Sequence, residues 1–177
     1  YGSSGRRSLE ASTSPGGPGR KLALWVEDPP GGKNQATTDP DVASLSIDAL
    51  TNIVNTQGPF YGILGYSQGS AFAPVFLSTL PTGTFQVALL FCGYLPTTHQ
   101  GLIGRIEAAA PFGNIPAFVF MGAQDAVITN AMTNAQAAEF TSPVVVTSSA
   151  AGHHLPYTSD PAYNQVLEFL AANLDGT

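Results

Sequence analysis

Short, almost wholly apolar runs alternate along the chain with longer segments in which apolar residues recur at helical spacing. Runs of this kind are typical of strands that are buried on both faces of a sheet. Their alternation with helices predicts an α/β fold, with a mostly parallel sheet that helices cover on both faces. The four predicted strands are residues 60–64, 85–91, 116–121 and 143–147.

The predicted helices begin at recognisable start signals. Asp39 and Pro40 open the first helix, as a capping side chain followed by a proline at the first helical position, and the pattern continues to Gln57. Two further helices are predicted at residues 68–80 and 130–140. The first helix is expected to bury one face, made of Val42, Leu45, Ile47, Ala49, Leu50, Ile53 and Val54.

The last predicted helix starts at Ser159 and has Pro161 in its first turn. Residues 93–113 show no clear period, so we expect irregular structure there with room for one short helix. Along the last helix, the residues expected to face the core are Tyr163, Val166, Leu167, Leu170 and Leu174.

The composition of the 177 residues is that of a globular protein, with 44% hydrophobic and 10% charged residues. This length favours a single domain, 1–177, built around one core. Residues 1–38 are rich in Gly, Pro and Ser and are predicted to be an irregular segment, either a linker or a lid. No apolar run has the length of a membrane span, and the chain shows no signal-peptide pattern.

The cysteine content indicates the cellular compartment of the protein, and the charge distribution limits the classes of partner that it can bind. Cys92 is the only cysteine, so no internal disulfide can form, and its place after an apolar run predicts a buried structural thiol. Such a chain fits a reducing compartment and predicts a cytoplasmic location. Of the six basic residues only Arg105 follows Lys33, and the net charge is −6. A phosphate backbone would be repelled, so we expect no nucleic-acid partner.

The segment Gly65-Tyr66-Ser67-Gln68-Gly69 lies between the first predicted strand and a predicted helix. A sharp strand-to-helix turn of this type lifts a serine hydroxyl clear of the backbone, where a histidine can take its proton. Gly65 and Gly69 leave room for the turn, and the amide of Gln68 at the helix start is a candidate oxyanion donor. Ser67 is therefore the candidate nucleophile, although this short pattern also occurs by chance.

A base and a carboxylate for Ser67 should follow later strands, since the carboxyl ends of parallel strands meet at one edge of the sheet. Asp125 follows the third strand, and His153 and His154 follow the fourth. Taken alone, Asp125 could be a turn or cap residue. The histidines could be loop residues or a metal pair, but no third ligand at suitable spacing is evident, so we expect no metal. His99 lies in a polar loop and is interpreted as a surface histidine.

These residues together resemble the FSH-type serine hydrolases, a family of α/β-hydrolases. The resemblance rests on Gly58-Pro59-Phe60 ahead of the strand-to-helix turn, on Gly122 to Asp125, and on Gly152-His153-His154-Leu155-Pro156. It covers roughly residues 22–172. It implies an ester or thioester hydrolase without metal or organic cofactor. By the same resemblance Ser67 is the nucleophile, His153 rather than His154 the base, and Asp125 the orienting acid.

The chain departs from the family pattern in two places. Tyr61 stands where the family usually has Asp, a change we expect to be tolerated. Family members also begin with a strand and a His-Gly loop that donates the second oxyanion N–H, and neither is found here. We therefore expect either that the chain lacks the front of the domain or that a separate polypeptide completes the sheet. If the chain is complete, its exposed sheet edge should favour a homodimer.

A small acyl ester or thioester is the expected substrate. Apolar residues near the motifs could line a pocket for its acyl group, although each could equally be a core residue. Two other readings stay open: a thioesterase or acyltransferase that releases an acyl chain from a carrier, and a non-catalytic binding protein with a hydrolase fold. The candidate substrate-binding residues are Trp25, Tyr66, Tyr94, Val127 and Leu155.

Overall fold

The computed structural model describes residues 24–174. In this range a four-stranded parallel sheet has the order β1-β2-β3-β4, as the alternation of apolar runs and helices predicts. The strands are β1 (Gly62–Tyr66), β2 (Val87–Phe91), β3 (Ala117–Gly122) and β4 (Val144–Ser148). Because every crossover is a helix or a helix-containing loop, the carboxyl ends of all four strands lie at one edge of the sheet.

Five helices connect or follow the strands. They are α1 (Ser44–Gln57), α2 (Gln68–Leu77), α3 (Gln100–Ala109), α4 (Asn130–Ala137) and α5 (Pro161–Leu174). Of the helices in residues 24–174, none combines the length and hydropathy needed to cross a lipid bilayer.

The sheet separates two apolar clusters, since successive strand residues point to opposite faces. On one face Phe72 and Phe76 of α2 pack with Leu102 of α3 and with Leu90 and Val119 of the sheet. The opposite face carries the second cluster, in which α5 contributes Ala162 and Phe169 against Val87, Phe91, Phe118 and Phe120.

The helix boundaries differ from the sequence-based expectations where polar side chains bind the backbone. The first helix begins at Ser44 and not at Pro40, because Asp39 accepts a hydrogen bond from the Asp41 amide (2.9 Å) in a turn ahead of the helix. Residues 93–113 contain a ten-residue helix, α3, which buries Leu102 and Ile106.

The predicted inner faces of the first and last helices are only partly correct. Leu45 of α1 is 53% exposed, and α1 has no fully buried residue. In α5 the buried residues are Ala162 and Phe169, whereas Leu167 and Leu174 are about half exposed. A helix at the periphery covers the sheet with one narrow stripe, and leucines beside that stripe stay in contact with solvent.

Strand β1 lies at the edge of the sheet in the described part of the chain. It starts at Gly62, two residues later than predicted, because its pairing with β2 runs from Gly62 opposite Val87 to Tyr66 opposite Phe91. Leu64 on this strand is 58% exposed. The predicted irregular segment 1–38 is described only from Leu24 onward.

Candidate active site

Ser67 occupies the turn between β1 and α2. Its backbone has φ 52° and ψ −120°, a conformation that L-residues rarely adopt, and its amide donates to the Phe91 carbonyl (3.0 Å). Strained backbone of this kind persists only where the surroundings hold it, and it is frequent at functional sites.

Gly65 makes this turn possible. A Cβ atom at this position would lie 2.5 Å from the Gly69 carbonyl oxygen and 2.6 Å from the Ser70 Cα, so any side chain would collide with the backbone of α2. The restriction at Gly69 is weaker, since a Cβ atom there would lie 3.2 Å from the indole nitrogen of Trp25.

Asp125 follows β3 and is held by three hydrogen bonds. Its Oδ1 accepts the amides of Val127 and Ile128, both at 2.8 Å, while its Oδ2 lies 2.8 Å from Nδ1 of His153. The side chain of Asp125 is only 1% exposed. Burial opposes its ionisation, but the Ile128 amide, His153 and the Val127 amide outweigh burial and hold the pKa of the carboxyl below its usual value.

His153 lies in the loop after β4 and bridges the other two residues. Its Nδ1 faces Asp125, and its Nε2 lies 2.9 Å from Oγ of Ser67. With the proton on Nδ1, an imidazole in this position can accept the serine proton on Nε2. His154 is placed differently: its Nε2 accepts the Gly152 amide (3.1 Å), and its Nδ1 lies 2.8 Å from the Leu155 carbonyl oxygen.

Cys92 lies close to this group. One ligand-type atom from each of Cys92, Asp125 and His153 fits within 4.8 Å, so the group includes one of the two histidines of the metal-pair alternative and not His154. Burial, and then the charge of Asp125, raises the pKa of the thiol to about 11. A metal needs the thiolate form, and both imidazole nitrogens of His153 already have partners. The geometry therefore fits a neutral thiol beside a carboxylate better than a metal site.

Gln68 joins α2 to the segment that precedes α1. Its side-chain oxygen accepts the Trp25 amide (2.8 Å), and its side-chain nitrogen donates to the Val26 carbonyl (2.9 Å). The indole of Trp25 also stacks on Phe72, with ring centroids 5.6 Å apart. Gln68 is the first residue of α2, where backbone amides have no partner within the helix, so its N–H is suited to stabilise an oxyanion.

The candidate substrate-binding residues divide between different surroundings. Trp25 and Tyr66 line a cavity of about 440 Å³ along β1. Tyr94 lines a second cavity of about 320 Å³ together with Gln68, and burial followed by the charge of Asp28 raises the pKa of Tyr94. Val127 and Leu155 are 64% and 41% exposed and line neither of these two cavities.

The interpretation of His99 as a surface residue was wrong. It is 8% exposed, and its Nε2 lies 2.9 Å from the Glu27 carbonyl oxygen. The loop before α1 folds over it, as the bridge between Thr37 and His99 shows. A contact between segments so distant in sequence leaves no local pattern.

The sequence analysis also missed a set of hydrogen bonds that connects the start of the loop carrying His153 to the start of α5. Ser148 donates to Asp160 (2.5 Å) and accepts the Ala151 amide (3.1 Å), while Asp160 accepts the Ala162 amide (2.9 Å) at the start of α5. The Asp-Pro pair at residues 160–161 is a helix-start signal that could have identified the cap. The contact with Ser148 had no such signal.

The sequence profile of the serine hydrolase (FSH1) family matches residues 13–164. Esterase OVCA2 of Xenopus tropicalis is 30% identical over 116 residues, which are 62% of this chain and 47% of that protein. Esterase FPY3 of Fusarium mangiferae is 30% identical over 125 residues, or 63% of this chain and 55% of that protein. The chain thus spans about half the length of these curated relatives.

Solved structures with the same fold include acyl-protein thioesterase 2 of Zea mays. Its TM-score is 0.61 at 20% identity, over 86% of this chain and 73% of that one. A carboxylesterase of Mesorhizobium loti has a TM-score of 0.57 at 18% identity, over 87% and 71% of the two chains. Similarity at this level of identity establishes the α/β-hydrolase fold.

Proposed function

The chain belongs to the FSH1 serine hydrolase family, and from this premise we propose that it cleaves carboxylic esters or thioesters through an acyl-enzyme on Ser67. The observation that carries the proposal is the chain of contacts from Oγ of Ser67 to Nε2 of His153 (2.9 Å) and from Nδ1 of His153 to Asp125 (2.8 Å). This is the arrangement by which a base activates a serine and a carboxylate orients the base.

In the proposed reaction, Ser67 attacks the substrate carbonyl while its proton passes to Nε2 of His153. Asp125 keeps the other imidazole proton on Nδ1 and stabilises the imidazolium that forms. The amide of Gln68 donates to the oxyanion, and His153 then gives its proton to the leaving group. Water activated by the same imidazole cleaves the acyl-enzyme, which restores the free serine.

We further propose that the acyl group is hydrophobic. Four apolar side chains are exposed: Trp25 and Tyr66 near the nucleophile turn, and Val127 and Leu155 near the acid and the base in sequence. Tyr94 lines the cavity of about 320 Å³ that Gln68 also lines. Turnover of p-nitrophenyl esters should therefore rise from acetate to longer acyl chains. Equal turnover across the series would contradict a hydrophobic pocket.

Release of an acyl chain from a carrier is the second candidate function. The fold similarity to a protein named acyl-protein thioesterase makes a thioester substrate worth testing, and matched oxygen ester and thioester pairs would separate the two. A third candidate is a hydrolase fold that binds ligands without catalysis. A fluorophosphonate probe distinguishes it, since the probe reacts with an activated serine.

The edge position of β1 bears on the partners of the protein. Among residues 24–174, β1 pairs with β2 alone, and we propose that its other edge is covered in the working protein, either by a second copy of the chain or by a separate polypeptide that completes the sheet. Light scattering of the purified chain as a function of concentration tests the homodimer.

A cytoplasmic location also stays a prediction, which rests on the single buried thiol, Cys92.

Replacement of Ser67 by alanine tests the proposed function. We expect ester turnover to fall by at least about 10³-fold, because the nucleophile is removed while binding is kept. Ser78, at the other end of α2, donates its hydroxyl to the Val75 carbonyl and offers a matched serine-to-alanine control. A loss of less than tenfold in the Ser67 variant, with the control unchanged, would remove Ser67 from the mechanism.

A further inference from the structure

Tyr66 contacts the loop after β4, which carries His153. Its phenol donates to the main-chain carbonyl oxygen of His153 (2.7 Å), and its ring lies 5.2 Å from the imidazole, centroid to centroid, at an angle of 39°. Tyr66 is the last residue of β1 and immediately precedes Ser67. One residue therefore connects the strand that carries the serine with the backbone of the histidine.

We propose that Tyr66 is a positioning residue that ties the main chain of His153 to the strand of Ser67 and so holds the imidazole at proton-transfer distance. This inference rests on the proposed function. It assigns to the phenol hydroxyl a role that the aromatic ring alone does not fill.

The imidazole needs such a fixed point because its loop lies beyond the end of β4. The two ring nitrogens of His153 reach Ser67 and Asp125 only while the backbone stays in place. The hydrogen bond from Tyr66 holds that backbone at the carbonyl of the same residue. His153 is thus held at three points, by side chains from the ends of β1 and β3.

The next peptide of the loop is held in a similar way. The thiol of Cys92, which follows β2, lies 3.6 Å from the His154 carbonyl oxygen. The loop also approaches β3 closely, since a Cβ atom at Gly122 would collide with the carbonyl oxygens of Ala151 and Gly152. The contact of the Cys92 thiol with the His154 carbonyl is weaker than the hydrogen bond from Tyr66 to the His153 carbonyl, because sulfur is a poor donor. Of the two side chains that contact the carbonyl oxygens of His153 and His154, Tyr66 therefore makes the stronger hydrogen bond.

Tyr66→Phe separates the two roles that Tyr66 could have. It keeps the ring, which lines the cavity along β1, and removes only the hydroxyl. Tyr61→Phe is the matched control: Tyr61 precedes the same strand at its opposite end and donates its hydroxyl to another main-chain carbonyl, that of Asn173. Both substitutions remove one phenol-to-carbonyl hydrogen bond.

The first measurement is steady-state ester hydrolysis by the two variants. We expect Tyr66→Phe to lower kcat about tenfold with KM changed less than twofold, because small displacements of a catalytic group reduce the rate strongly. Tyr61→Phe should keep kcat within twofold of the wild-type value, and it should lower the melting temperature by about as much as Tyr66→Phe does. Equal kcat for Tyr66→Phe and wild type, or equal losses in both variants, would overturn the inference.

The second measurement does not depend on hydrolysis. In the NMR spectrum, the Nδ1 proton of His153 should be detectable in the wild type because Asp125 accepts it, and it should exchange faster with water in Tyr66→Phe but not in Tyr61→Phe. Unchanged exchange in Tyr66→Phe would refute the positioning role. Faster exchange in a protein that hydrolyses no ester would support that role and reject the proposed function.

Discussion

Replacing Asp125 by asparagine tests how the imidazole tautomer is set. In the native protein Oδ1 of Asp125 accepts the amides of Val127 and Ile128, and Oδ2 faces Nδ1 of His153. Asparagine has one side-chain oxygen, and the two backbone amides keep it in the position that Oδ1 occupies in the native protein. Its NH₂ group must then face Nδ1 of His153. Both groups would be donors there, so the imidazole would move its proton to Nε2.

The size of the effect follows from this change of tautomer. With the proton on Nε2, the imidazole can no longer accept the proton of Ser67, which lies 2.9 Å away. Loss of the productive tautomer at intact geometry typically lowers kcat by about 10⁴-fold. This corresponds to about 5 kcal/mol of transition-state stabilisation.

The assay is p-nitrophenyl ester hydrolysis at pH 8 together with the melting temperature. Asp41→Asn is the matched control, because Asp41 is 72% exposed and pairs with Arg105 (2.9 Å) on the surface. We expect Asp41→Asn to keep full activity. A loss of less than tenfold in Asp125→Asn, with a folded protein, would refute the role of the carboxylate in selecting the tautomer.

Two further predictions concern groups near the site. Because burial raises the pKa of Cys92 to about 11, the thiol should not react with Ellman's reagent at pH 8 in the native protein but should react in denaturant; equal rates would contradict the burial. Asp160→Ala should destabilise the fold by about 1 kcal/mol at pH 7, since it removes the cap of α5. The hydroxyl of Ser148 and the amide of Ala162 lower the pKa of Asp160, so this contribution exists above the unfolded pKa of about 4 and disappears as the pH falls through the lowered folded value. The difference in the free energy of unfolding between wild type and Asp160→Ala, measured with urea, should thus be smaller at pH 3 than at pH 7. An equal difference at the two pH values would contradict this role of the Asp160 carboxylate.

The sheet could be predicted because its central strands are continuous apolar runs. Val87 to Phe91 and Ala117 to Gly122 are buried along their whole length, and such runs fit few other structures. The bounds of β1 could not be predicted in the same way. They depend on which of its residues pair with β2, and the exposed Phe60 is as apolar as the residues that do pair.

The positions of Ser67, Asp125 and His153 could be proposed because each follows a predicted strand at the same sheet edge. Their roles remain a proposal, although the structure brings the three side chains within hydrogen-bonding distance. The contact of Tyr66 with His153 had no sequence signal, because it joins residues 87 apart through side chain and main chain. Burial of His99 was missed for the same reason, since a loop remote in sequence covers it.

Reaction with a fluorophosphonate, followed by mass spectrometry of the digested protein, tests the central claim most directly. The account predicts a single adduct on the peptide that contains Ser67, and its loss in both Ser67→Ala and His153→Ala. A wild-type protein that stays unlabelled while folded, or an adduct on another serine, would contradict it.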